Sequence, residues 1–211
     1  MIIEMRTYTL QPGTVAAFEE SFGTALPALT KNSPLAAFWH TEAGPLNRVI
    51  QVWPYDDLPA RTRLREEATK EASKLQGWLA KVREFEVEQQ SDIYIPAPFS
   101  PPLEPRRLGD LYEIRIYTFK PGGIQGVIDR WSDHIARRTE LSPLVGAWSS
   151  ELGGLNKLCH IWAYKDAAER FGIREEARAK GIWPPPSRGG PNMMINQENM
   201  LVVPASFSPL H

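Results

Sequence analysis

Glutamate, arginine and tyrosine alternate along two short segments: Glu4, Arg6 and Tyr8 in one, Glu113, Arg115 and Tyr117 in the other. Side chains of an extended strand point alternately to opposite faces, so each set shares one face. Ile3, Met5 and Thr7, or Ile114 and Ile116, take the other. A carboxylate, a guanidinium and a phenol held side by side have two uses. They can pair with one another and fix strand register. They can also line a small-molecule cavity, the arginine holding an anionic group. Both uses are open at this level. A further strand in each half adds Gln51 and Trp53, or His160 and Trp162, to the same face. His160 stands out, because an imidazole serves as acid, base or metal ligand near neutral pH and the equivalent amide of Gln51 does not titrate. The candidate catalytic residues are therefore His160, Arg115 and Tyr117. The candidate ligand-binding residues are Arg6, Tyr8, Gln51, Trp53, Glu113 and Trp162. The alternative for His160 is a core histidine satisfied by hydrogen bonding. The four histidines lack ligand-like spacing, so neither a metal nor a cofactor is expected.

The elements that must carry these residues occur twice. At an offset of 109 residues, Glu4 to Glu113, the chain repeats Ser33-Pro34-Leu35 as Ser142-Pro143-Leu144 and Arg65-Glu66-Glu67-Ala68 as Arg174-Glu175-Glu176-Ala177. The repeat predicts two units, residues 1–104 and 105–211, joined through the proline-rich stretch Pro96 to Pro105. Within each unit, period-two segments, helical stripes and Pro-Gly or Asn turns give the order β-α-β-β-α-β, the ferredoxin-like unit. The first helix carries Val15, Phe18, Phe22, Leu26 and Leu29 inward, and a charged helix runs from about Asp57 to Gly77. Its arginines Arg61 and Arg65, with Arg170 and Arg174 in the second copy, read as a solvated face. In the second copy the proline- and glycine-rich segment Trp183 to Pro191 ends that helix early and reads as a surface loop or a cover for a cavity mouth. Helices should cover the apolar face of each sheet, which leaves the Glu-x-Arg-x-Tyr face looking into the space between two sheets.

Across 211 residues the net charge is −1, which gives no reason to expect nucleic acid or an anionic membrane as partner. No run approaches the ~20 apolar residues of a membrane span, and no signal peptide is visible, so the expected location is the cytoplasm. The single cysteine, Cys159, excludes an internal disulfide.

The two Glu-x-Arg-x-Tyr-x-x-x-Pro-Gly segments, the Trp-x-x-Glu-x-Gly-x-Leu-Asn hairpins and the Trp-x-Tyr endings resemble the NIPSNAP family over nearly the whole chain. His160-Ile161-Trp162 matches the family's His-x-Trp, and Gln51-Val52-Trp53 departs from it. The resemblance implies a pseudo-dimeric α+β barrel, two tandem ferredoxin-like repeats facing each other through their sheets with helices outside. Such a chain is able to pair again as a homodimer. Its superfamily includes cofactor-free oxygenases, haem-degrading enzymes and EthD-like proteins. Two functions follow as expectations: binding of a small apolar or aromatic ligand inside the barrel, or an interaction module; alternatively, a cofactor-independent oxygenase, isomerase or EthD-like activity with His160 as acid/base.

Overall fold

Each Glu-x-Arg-x-Tyr segment forms a nine-residue strand, β1 (Ile2–Leu10) and β5 (Leu111–Phe119). Both strands stop at Pro-Gly, where Gly13 and Gly122 take φ of 80° and 84°, a region closed to most side chains by their Cβ. The computed structural model describes residues 1–186 and 192–211. After β1 comes α1 (Val15–Leu29); after β5 its counterpart is divided into α4 (Gly123–Ser132) and α5 (Ile135–Thr139). Hairpins follow: β2 (Ala37–Ala43) with β3 (Arg48–Tyr55), and β6 (Leu144–Leu152) with β7 (Lys157–Tyr164). Asn47 and Asn156 make the turns at φ 57°, which asparagine tolerates. Their carbonyls accept the Leu10 and Phe119 N–H groups.

The charged helices are α2 (Leu58–Ser73) and α6 (Ala167–Ala179). Asp57 and Asp166 cap them, accepting the Ala60 and Glu169 N–H groups at 2.7 and 2.8 Å. The first copy then adds a helix that periodicity alone did not separate, α3 (Trp78–Phe85), set off by Gly77 at φ 74°. Last come β4 (Glu86–Pro96) and β8 (Met194–Pro204). Of the proline-rich segment after α6, Trp183 packs edge-on against Trp131 of α4 with centroids 4.5 Å apart. Residues 187–191 of that segment lie outside the described residues.

The α+β class holds, but the pseudo-dimeric α+β barrel expected from the sequence, with two sheets facing each other across a ligand space, is corrected. The eight strands are one continuous sheet in the order β1-β3-β2-β8-β5-β7-β6-β4. Within this single chain β4 pairs back onto β1, β2 pairs with β8 and β4 with β6. The term dimeric therefore does not apply to its closure. The enclosed side is not a ligand space either. Ile3, Met5, Ile50 and Val52 of the first copy form one buried cluster with Ile114, Cys159 and Ile161 of the second. Trp39 and Tyr112, 5.2 Å apart, and Tyr94 and Trp148, 6.3 Å apart, tie the copies together there. The expected ligand inside a barrel is overturned by this filling.

The two sides of the sheet are also exchanged relative to expectation. The Glu-x-Arg-x-Tyr face lies under the helices: Tyr8 packs edge-on against Phe18 of α1, and Arg61 of α2 reaches Glu4. The reason is solvation. The inside of a closed sheet meets neither water nor helix, so it takes side chains that need the fewest polar partners. The helix-covered face is reached by long arginines that can satisfy buried carboxylates. No helix among the described residues is long and apolar enough to cross a membrane.

Candidate functional site

Strand register places the key residues side by side. Arg6 lies opposite Gln51 and Glu4 opposite Trp53; Arg115 lies opposite His160 and Glu113 opposite Trp162. Helices over this face leave one cleft per copy, of about 270 Å³ in the first and about 210 Å³ in the second. The first cleft brings together Arg6, Tyr8, Gln51 and Trp53, and the second Arg115, Tyr117, His160 and Trp162. Glu4 and Glu113 line neither cleft. They are fully buried beneath it and anchor the arginines.

Each carboxylate is a hub. Glu113 accepts from Arg115 at 2.6 Å, from Arg170, from Arg174 at 3.5 Å and from Asn199 at 3.2 Å. Glu4 accepts from Arg6 at 2.9 Å, from Ser91 at 2.6 Å and from Arg61. Arg170 is thus a buried partner of Glu113, and Arg61 a partner of Glu4; the solvated helix face expected for them is corrected. The Nε groups of Arg6 and Arg115 each donate to the neighbouring tyrosine hydroxyl at 2.7 Å. Register-fixing ion pairs and cleft lining are therefore two ends of the same side chains.

Burial raises the Glu4 pKa, but hydrogen bonds from Arg61 and Ser91 and the charge of Arg6 outweigh it, leaving the carboxyl at about 2 against an ordinary 4.5. A depressed carboxylate pKa stabilises the fold fully above its unfolded value and loses that contribution as protons bind the native state. Stability from Glu4 is therefore expected to fall between pH 4.5 and pH 2, by about 3 kcal/mol in all. Urea midpoints measured down that range should decline, and Glu4→Gln should flatten part of the decline; identical slopes in both proteins would contradict the assignment. Glu113 is shifted in the same direction, with burial again outweighed by Arg170, Arg115 and Arg174.

His160 is 1% exposed. Trp162 Nε1 donates to its Nδ1 at 2.8 Å. An indole N–H only donates, so Nδ1 is unprotonated and Nε2 carries the hydrogen. That Nε2–H has no partner among the described residues. Tyr117 and Trp131 pack edge-on to the imidazole, both with centroids at 4.7 Å. Burial, together with the charges on Arg115, Arg174 and Arg138, holds its pKa well below the usual imidazole value. The first copy repeats the arrangement with a different residue. Trp53 Nε1 donates to Gln51 Oε1 at 3.1 Å, and Gln51 Nε2 is left buried without a partner. In both copies a tryptophan N–H takes up the acceptor of its neighbour and leaves an unsatisfied N–H donor on a cleft-lining side chain.

Arg138 and Trp131 also line the second cleft and did not stand out from motifs; Trp183, from the segment read as a surface loop or a cover for a cavity mouth, lines it as well. A signal was present at the repeat offset: Leu29 in the first helix stripe corresponds to Arg138. No cluster of three or more histidine, cysteine, aspartate or glutamate side chains able to hold a metal occurs among the described residues.

The NIPSNAP family model matches residues 3–101 and again 112–209. Protein NipSnap homolog 3A of Homo sapiens is 29% identical over 98% of this chain and 85% of its own length. The Protein NipSnap homolog of Dictyostelium discoideum is 32% identical over 86% of this chain and 78% of its own. A crystal structure from Fusobacterium nucleatum, 10% identical, superposes over 97% of this chain and 92% of that one with a TM-score of 0.66, a likeness of fold alone.

Proposed function

The chain belongs to the NIPSNAP family, and from that premise we propose that it binds a small aromatic ligand in the cleft between the sheet and the helices of its second unit, without transforming it. In this reading residues 1–104 and 105–211 each contribute one cleft, and the setting is the cytoplasm. The carrying observation is the unpartnered His160 Nε2–H, matched by the unpartnered Gln51 Nε2. A buried donor without an acceptor is costly, and a ligand acceptor removes that cost. Trp131, Trp162 and Trp183 supply flat apolar walls for the remainder of the ligand.

The same observation disfavours acid–base chemistry of the oxygenase, isomerase or EthD-like kind. To act as a base, His160 has to accept a proton on a ring whose Nδ1 is already engaged by Trp162, among the charges of Arg115, Arg138 and Arg174. A glutamine holds the equivalent post in the first unit, and an amide donates hydrogen bonds but does not titrate. Hydrogen-bond donation is the property the two share.

Native mass spectrometry of the gently purified protein tests this. We expect extra mass that is lost on denaturation, retained in His160→Gln and lost in His160→Leu. A clean mass for the unaltered protein, or a ligand indifferent to His160→Leu, counts against the reading. An activity abolished by His160→Gln would restore the acid–base role.

A further inference from the structure

We propose that the second cleft selects an aromatic carboxylate, with Arg138 as its counter-charge; this rests on the cleft being a ligand site at all. Arg138 is 2% exposed, and no carboxylate comes within 4.0 Å of it among the described residues. Its two terminal nitrogens donate to neutral groups, Ser142 Oγ at 2.7 Å and Tyr164 OH at 3.2 Å, and its guanidinium lies 4.1 Å from the Trp162 ring centroid. A charge taken out of water needs an opposite charge to offset its desolvation. Glu113 acts on Arg138 only from beyond 4.0 Å, and its carboxylate is already divided among Arg115, Arg170 and Arg174.

The lining points the same way. Arg115, Arg130, Arg138, Arg174 and Arg178 line this cleft, and no acidic side chain is among its described lining residues. Trp162 joins the two groups that a carboxylate needs: Arg138 stands over its face, and His160 accepts from its edge, leaving Nε2–H to donate. A guanidinium and a neutral N–H donor lining one cleft suit a planar, singly charged acceptor. The body of such a ligand meets Trp131, Trp183 and Tyr117. The first cleft lacks this device. Leu29 takes the place of Arg138, Gln51 that of His160, and Glu86 joins the lining. The two copies have thus diverged in charge preference while keeping the same neutral donor.

Isothermal titration of the full chain with 2-naphthoate and with its uncharged analogue 2-naphthamide decides the matter. Naphthoate is expected to bind about ten-fold tighter or better than the amide. Arg138→Leu, which installs the residue of the first copy, should erase that preference while leaving amide affinity within about two-fold. Equal binding of acid and amide to the unaltered protein overturns the carboxylate assignment and leaves the cleft reading standing, and so does a preference that survives Arg138→Leu. If neither compound binds, the cleft reading itself falls. The comparison on the unaltered protein decides even where the variant fails to fold.

Discussion

Replacing Glu113 by alanine is expected to destabilise the protein by about 3–5 kcal/mol, because it leaves buried cations without their counter-charge. Arg170 is buried and Arg115 nearly so, and both depend on this one carboxylate. Arg174 and Asn199 lose a partner as well. Since β5, α6 and β8 each send a side chain to Glu113, its loss loosens three elements together. Glu113→Gln keeps the volume and one acceptor, so it should cost less than the alanine. Chemical denaturation measures both. A loss below about 1 kcal/mol for Glu113→Ala would mean that the arginines relax into water, as exposed pairs do.

Trp148→Ala should cost a similar amount, about 3–5 kcal/mol, for a different reason. Trp148 lies inside the closed sheet, fully buried, against Tyr94. Its ring also rests on Gly146, where an added Cβ would stand 2.4 Å from the indole. The penalty is lost apolar transfer plus the void left behind. The clefts are on the other side of the sheet, so naphthoate affinity should change little. Near-neutral stability in this variant would show a slack interior and reopen the question of what the enclosed space holds.

Much of this architecture is legible in the residues. The Glu-x-Arg-x-Tyr alternation fixes two strands and one shared face, and the structure keeps Arg6, Tyr8, Gln51 and Trp53 together as the pattern requires. The direction of that face is not legible. Alternation separates two sides but does not say which is inside, and the habit of assigning the apolar side to the helices fails once a sheet encloses a space of its own. Arg61 and Arg170 look like surface charges on helices that are rich in charge, because their partners Glu4 and Glu113 lie 57 residues earlier in the chain. The donor role of His160 also needed coordinates, since which nitrogen is free depends on where Trp162 points. Arg138 was within reach of the repeat, as the one cation standing where the first copy has Leu29 in its apolar stripe.

The position of β8 in the strand order has a consequence for synthesis. A ribosome releases the strands in numerical order, yet β8 must sit between β2 and β5, with Trp39 opposite Pro204 and Glu113 opposite Leu201. Until β8 emerges, the nascent chain carries two uncovered strand edges and an apolar inner surface open to strangers. Contacts so distant in sequence also close slowly. Throughout translation the growing polypeptide is therefore a candidate for chaperone capture, and the peril ends only when its last strand slots home.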